Sequence, residues 1–158
     1  MFIKMAEKTD MKVLLDMVKR LITEQTNFVG HYDIARERKF FDDSIDLEDD
    51  IVFLATDNGA IVGMVTVRYA SNEYSVQILG LYVYEHARRQ GWGRLLVDVA
   101  EDWAKQRARL QSVITIMYPL DDGVHEFWRK MGYRFYLTTD DELQHYYFKN
   151  FYGDRQDD

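Results

Sequence analysis

From Val83 to Leu96 the chain reads Val-Tyr-Glu-His-Ala-Arg-Arg-Gln-Gly-Trp-Gly-Arg-Leu-Leu, a hydrophobic strand that enters a basic, glycine-punctuated turn and opens into a helix. Gly91 and Gly93 carry no Cβ where backbone must come close to a ligand, and a helix starting here aims unpaired N–H groups into the turn. Arg88, Arg89 and Arg94 add positive charge, so the expected ligand is an anion and the turn reads as a pyrophosphate cradle. Strand-glycine-helix turns also occur in α/β proteins that bind nothing, so the neighbouring elements decide what this one is for.

Those elements can be read from periodicity. Residues 2–6 suit a short strand. Thr9 or Asp10 can cap a helix in which Leu14, Met17, Val18, Leu21 and Ile22 recur at helical spacing. Ile34, Phe40, Phe41 and Ile45 suggest a second helix over about 32–44, followed by an acidic stretch at Asp42, Asp43, Asp46, Glu48, Asp49 and Asp50 that reads as a solvated loop. Ile51–Thr56 and Ile61–Tyr69 are β-branched and aromatic, and Asp57-Asn58-Gly59 between them supplies the positive φ of a tight hairpin. A second hairpin turns at 70–73 into a strand over 74–84. That strand has Leu79, Leu81 and Val83 on one face and Ile78, Tyr82 and Tyr84 on the other, so it should be central. Gly80 within it marks a bulge or a close backbone approach.

Leu96, Val99, Ala100, Trp103 and Ala104 then stripe a helix over 93–109, and 113–118 forms the strand that completes a parallel crossover. Pro119, the only proline, stops it. A short helix over 121–131 ends at Gly132, and two aromatic strands, 133–137 and 144–151, close the chain. The expectation is one domain over 1–153 with a polar tail at 154–158.

Bulk properties narrow the class. In 158 residues, 47% hydrophobic and 15% aromatic content is ample for one core. The absence of cysteine removes a disulfide scaffold, a thiolate nucleophile and thiolate-ligated zinc. His31, His86, His125 and His145 lack metal-ligand spacing, so no metal is expected. No apolar run is long enough for a signal peptide or a membrane span, and the expected location is the cytoplasm. A net charge of −7 argues against nucleic acid as partner and favours a cationic small molecule or peptide.

Taken in order, these segments resemble the GCN5-related N-acetyltransferase (GNAT) superfamily over nearly the whole chain. Gly59, Ile61, Val62 and Gly63 match that family's DGxIVG hairpin. Val83, Arg88, Gly91 and Gly93 match its VxPxxRxxGxG signature, with Glu85 where proline is usual. Phe127, Trp128, Gly132 and Tyr133 match its FYxxxGF helix end, with tryptophan for tyrosine. The resemblance implies an α/β (α+β) fold with a mixed, mostly antiparallel sheet of about seven strands, a splayed parallel pair and flanking helices. It also implies acetyl-CoA as co-substrate, with pantetheine lying along the central strand at Leu81, Tyr82 and Val83 like an added strand. The pyrophosphate would rest on the turn formed by Arg88, Arg89, Gln90, Gly91, Trp92, Gly93 and Arg94, and Trp128 would border the cofactor.

The implied reaction is direct acetyl transfer to a primary amine of a small cationic molecule or peptide. Its usual acid and base are missing: Gln77 stands at the family's glutamate and Trp128 at its tyrosine. Glu73, Glu85, His125 or water are candidate bases, Tyr118 or Tyr133 candidate acids, and Tyr82 can line the acceptor pocket. Backbone N–H groups near Leu81 or Tyr82 could serve as an oxyanion hole. The alternative is a catalytically weak acyl-CoA-binding or regulatory module. The aromatic C-terminal strands could pair across a homodimer or simply close the sheet.

Overall fold

A computed structural model describes residues 2–24, 32–46, 50–70, 75–107, 112–117, 122–138 and 145–150. The elements are β1 (Phe2–Met5), α1 (Met11–Glu24), α2 (Ile34–Asp46), β2 (Asp50–Asp57), β3 (Ala60–Ala70), β4 (Ser75–Val83), α3 (Trp92–Arg107), β5 (Ser112–Met117), α4 (Asp122–Lys130), β6 (Arg134–Thr138) and β7 (His145–Asn150). Strands run in the order β1-β2-β3-β4-β5-β7-β6. Every neighbouring pair is antiparallel except β4–β5, which is parallel.

The helices begin where polar side chains satisfy orphan amides. Asp33 accepts from the amides of Ala35 (2.9 Å) and Arg36 (3.1 Å) and so starts α2. Asp10 acts one step earlier than a cap of α1. It accepts from the Glu7 amide at 2.9 Å and closes a single 3₁₀ turn, Lys8–Asp10, from which α1 continues. Because α2 runs to Asp46, the acidic stretch is helical through that residue rather than a loop. Three of its carboxylates hold cations of the same chain: Asp43 with Lys39, Asp46 with Lys8 and Asp50 with Arg68.

The sheet separates two cores. On one face Leu14 and Met17 of α1 and Phe41 of α2 pack on Leu54, Met64 and Tyr82. On the other, Trp92, Leu96, Val97 and Ala100 of α3 and Trp128 of α4 pack on Val65, Ile78, Tyr133 and Tyr147. The β2–β3 hairpin turns as its residues require, with Asn58 at φ 49° and Gly59 at 82°.

Ile78 lies in the same core as Leu81 and Val83, not with Tyr82 and Tyr84 as simple alternation predicts. The register explains why: Thr66 pairs with Gly80 but Val67 pairs with Ile78, so Leu79 is an extra residue on β4. A one-residue bulge advances the pleat by one and exchanges the faces beyond it. Gly80 combines both roles expected of it, since a Cβ there would come within 3.2 Å of Leu21 and of the Thr66 hydroxyl.

On the α3 side, the buried Glu101 carboxylate accepts from the Tyr133 hydroxyl (3.0 Å) and from Lys149 Nζ (3.0 Å), which also reaches the Met131 carbonyl. This network ties α3 to β7 and to the turn after α4. Among the described residues no helix is long and apolar enough to cross a membrane. Nor does any group of three or more His, Asp or Glu among them stand where it could hold a metal ion.

Candidate functional site

The site begins where the parallel strands part. β4 and β5 pair from Ser75↔Ser112 to Ile78↔Thr115, after which β4 continues on β3 to Val83 and β5 continues on β7 to Met117. Beyond Ile78 the β5-side edge of β4 is therefore open among the described residues, and open strand edges leave backbone groups that seek partners.

The glycine-arginine turn stands at the end of this open edge. After β4 a single 3₁₀ turn, Glu85–Ala87, closes with the Ala87 amide on the Tyr84 carbonyl (2.9 Å). Arg89 (φ 64°) and Gly91 (φ 89°) are both left-handed, a conformation that glycine adopts without strain. The Leu95 amide then bonds the Gly91 carbonyl at 3.0 Å, so Gly91 caps α3, and helix geometry leaves the amides of Trp92, Gly93 and Arg94 without intrahelical acceptors. Trp92 anchors the turn from below: its side chain is buried in the α3 core, and its Nε1 finds no acceptor among the described residues. Nothing lies within 4 Å of where a Gly91 Cβ would stand, and a Gly93 Cβ would meet the Phe127 ring at 3.4 Å. Open space at Gly91 and amides without intrahelical acceptors are what an anion needs.

The three arginines do not act together. The Arg94 side chain is 77% exposed, 4.0 Å from Asp98. Arg89 belongs to the left-handed turn itself. Arg88 points away from α3: its Nε donates to the Val83 carbonyl (2.9 Å), its guanidinium pairs with Glu24 at the end of α1, and it lies 5.5 Å over the Tyr82 ring.

Tyr82 donates its hydroxyl to Glu24 at 2.9 Å. Burial above all, with the Glu24 hydrogen bond and charge adding, pushes this phenol up to about 12. It can hold an oriented hydrogen bond, but it is a poor proton donor near neutrality. Between pH 10 and about 12 the folded chain keeps a proton that the unfolded chain releases. Its contribution to stability is therefore complete below pH 10 and lost as pH climbs to about 12. In a spectrophotometric phenolate titration, the difference between the native protein and Tyr82→Phe is expected to rise near pH 12; a rise near pH 10 would overturn the assignment.

Tyr84 repeats the pattern about two turns back along α1, donating to Asp16 at 2.7 Å, and burial raises it strongly too. His86 stacks on its ring at 5.8 Å, and Arg20, Tyr84, Glu85 and His86 line a shallow open groove.

Other candidates are placed elsewhere. Trp128 is buried in the α3-side core, edge-on to Phe127 (5.2 Å) and Tyr133 (4.9 Å). Tyr133 is committed to Glu101, and the buried His125 to the Tyr147 hydroxyl, so neither is a free acid or base. Gln77 sits in register with Arg68 and Ile114, before the strands part. Leu81 and Val83 are half-buried on the open stretch of β4. Glu73 and Tyr118 lie outside the described residues. Sequence reading misses Glu24, although the spacing of Asp16, Arg20 and Glu24 at intervals of four marks one face of α1.

Residues 15–133 match the model of the acetyltransferase (GNAT) family. No curated protein matches the chain. Solved structures do: the chain is similar to the PaiA N-acetyltransferase of Thermoplasma acidophilum, crystallised with coenzyme A, at 15% identity and TM-score 0.76, over 96% of this chain and 100% of that one. It is similar to a ribosomal-protein-alanine N-acetyltransferase from Brucella melitensis at 17% identity and TM-score 0.79, covering 95% and 99%. An aminoglycoside 6'-N-acetyltransferase complexed with coenzyme A shares 15% identity, TM-score 0.76, covering 95% and 97%.

Proposed function

The chain belongs to the acetyltransferase (GNAT) family, and from that premise we propose that it is an acetyl-CoA-dependent N-acetyltransferase acting directly on a primary amine of a small cationic molecule or peptide. One observation carries the reading: the open edge of β4 after Ile78 is followed, through the single Glu85–Ala87 turn, by the Arg89–Arg94 turn and the unpaired first amides of α3. A pantetheine arm, with two amides, suits the first, at Leu81, Tyr82 and Val83; a pyrophosphate suits the second, on Arg89, Gln90, Gly91, Trp92, Gly93 and Arg94.

Acetyl-CoA supplies an activated thioester, whose carbonyl carbon the neutral amine attacks as CoA leaves with the electron pair as thiolate. Backbone N–H groups at Leu81 or Tyr82 can stabilise the oxyanion formed on the way. An amine with a pKa near ~10.4 must first lose its proton. With Gln77 unable to take it, Glu73, Glu85 or water receives it; Tyr118 can give a proton to a thiolate whose conjugate acid has a pKa near ~8.5, and the second proton that the nitrogen loses as the amide forms restores Tyr118 through water. Tyr82 positions rather than donates, and Trp128 supports the cradle from within the core rather than touching the thioester.

A second reading, a catalytically weak acyl-CoA-binding module, draws on Gln77 and on the burial of Trp128. Turnover separates the two. Purified protein given acetyl-CoA and a panel of polyamines, aminoglycosides, amino acids and peptides is expected to release free CoA thiol with at least one acceptor. Calorimetric binding of acetyl-CoA with no thiol release across the panel would favour the binding module.

A further inference from the structure

The end of β4 carries one arrangement twice. Tyr84 donates to Asp16, and Arg20 pairs with that carboxylate while lying 5.5 Å over the Tyr84 ring. Tyr82 donates to Glu24, and Arg88 pairs with that carboxylate while lying 5.5 Å over the Tyr82 ring. Each is a cation held by a carboxylate and the π face of a phenol, a recognised way of binding organic cations. In the first cluster the acid and the base belong to one helix, four residues apart. In the second, the cation is borrowed: Arg88 reaches in from the turn before α3 and also donates to the Val83 carbonyl.

This asymmetry matters because Arg88 belongs to the segment that is to hold a pyrophosphate. A guanidinium prefers a bidentate dianion to a shared carboxylate, and the present pair is weakly held, with Arg88 41% and Glu24 43% exposed. Resting on the coenzyme A reading of the turn, we propose that Tyr82, Glu24 and the Val83 carbonyl form the cation subsite for the acceptor, an alkylammonium or guanidinium group. Arg88 fills that subsite in the free protein and leaves it when a pyrophosphate binds. The acetyl donor then opens the site for the amine, and by linkage each ligand strengthens the other by the same factor. The subsite lies on the open stretch of β4, beside the main-chain groups proposed for the thioester.

Calorimetry with coenzyme A tests this. Glu24→Gln removes the charge that holds Arg88, so coenzyme A is expected to bind about two- to fivefold more tightly, the range an exposed ion pair can contribute. Asp16→Asn removes the same charge from the sister cluster, which does not involve Arg88, and is expected to leave the affinity unchanged. As a probe of the subsite, n-butylammonium followed by ligand-observed NMR should bind more tightly at saturating coenzyme A, and Glu24→Gln should erase that gain. An unchanged or weaker coenzyme A affinity in Glu24→Gln, or an equal gain in Asp16→Asn, overturns the proposal. Failure of the native protein to bind coenzyme A at all looks different and overturns the reading of the turn instead.

Discussion

Gly93→Asp is expected to lower coenzyme A affinity by about a hundredfold or more while leaving the fold as stable as that of the native protein, or slightly more so. The two effects have opposite signs for one reason. Gly93 is the second residue of α3, where orphan amides and the helix dipole favour negative charge. An aspartate there would take up those amides and strengthen the helix by roughly 0.3–1 kcal/mol. Its Cβ would meet the Phe127 ring at 3.4 Å, an ordinary contact. The same carboxylate would occupy the cradle and repel a pyrophosphate, and like charges placed together cost several kcal/mol, each ~1.4 kcal/mol being tenfold in affinity. Calorimetry and thermal unfolding of one preparation read both signs. Retained coenzyme A binding would remove the turn as the pyrophosphate site; loss of binding together with loss of the fold would show the damage to be general.

Gly63→Val acts through packing and is expected to cost about 3 kcal/mol, the upper part of the range for an overpacked core. Gly63 lies on β3 opposite Val83, where a Cβ would stand 2.8 Å from the Tyr82 carbonyl, 3.1 Å from Leu96 and 3.2 Å from Val83. The nearest of these atoms is backbone and cannot turn aside, so β3, β4 and α3 must all separate. For a chain of this size the melting temperature should fall by roughly 6–12 °C. Coenzyme A should also bind less well to the protein that remains folded, because the strand displaced is the one proposed to carry pantetheine. A melting temperature within a degree of the native value would show that the hairpin absorbs the side chain.

Gly63 illustrates how far local pattern reaches. Its place in a recognisable hairpin is legible from the string of residues, but the carbonyl and leucine that exclude a Cβ come from β4 and α3, roughly twenty and more positions away. The cradle divides in the same way. Glycines, a basic turn and an amphipathic helix in succession depend on near neighbours, so the turn, the start of α3 and the central placement of β4 are legible in the residues themselves. Alternation along β4 breaks at Leu79, because a bulge is set by pairing with β3 and is only hinted at by Gly80.

What the chain encodes locally is therefore the order of elements, their family likeness and a basic, glycine-punctuated turn: each depends on propensity, periodicity and side-chain types a few residues apart. What required the assembled molecule was the commitment of each polar group. Arg88 belongs to the basic turn and pairs with Glu24 over the Tyr82 ring; Trp128, Tyr133 and His125 look chemical and are held in the core; Glu24 stands out in no motif and meets β4 at its open end. Those partners are separated by 58 residues between Glu24 and Tyr82 and 64 between Glu24 and Arg88. A side chain's charge is written in its own residue, but which opposite charge it meets, and whether water reaches it, depends on the packing of distant elements.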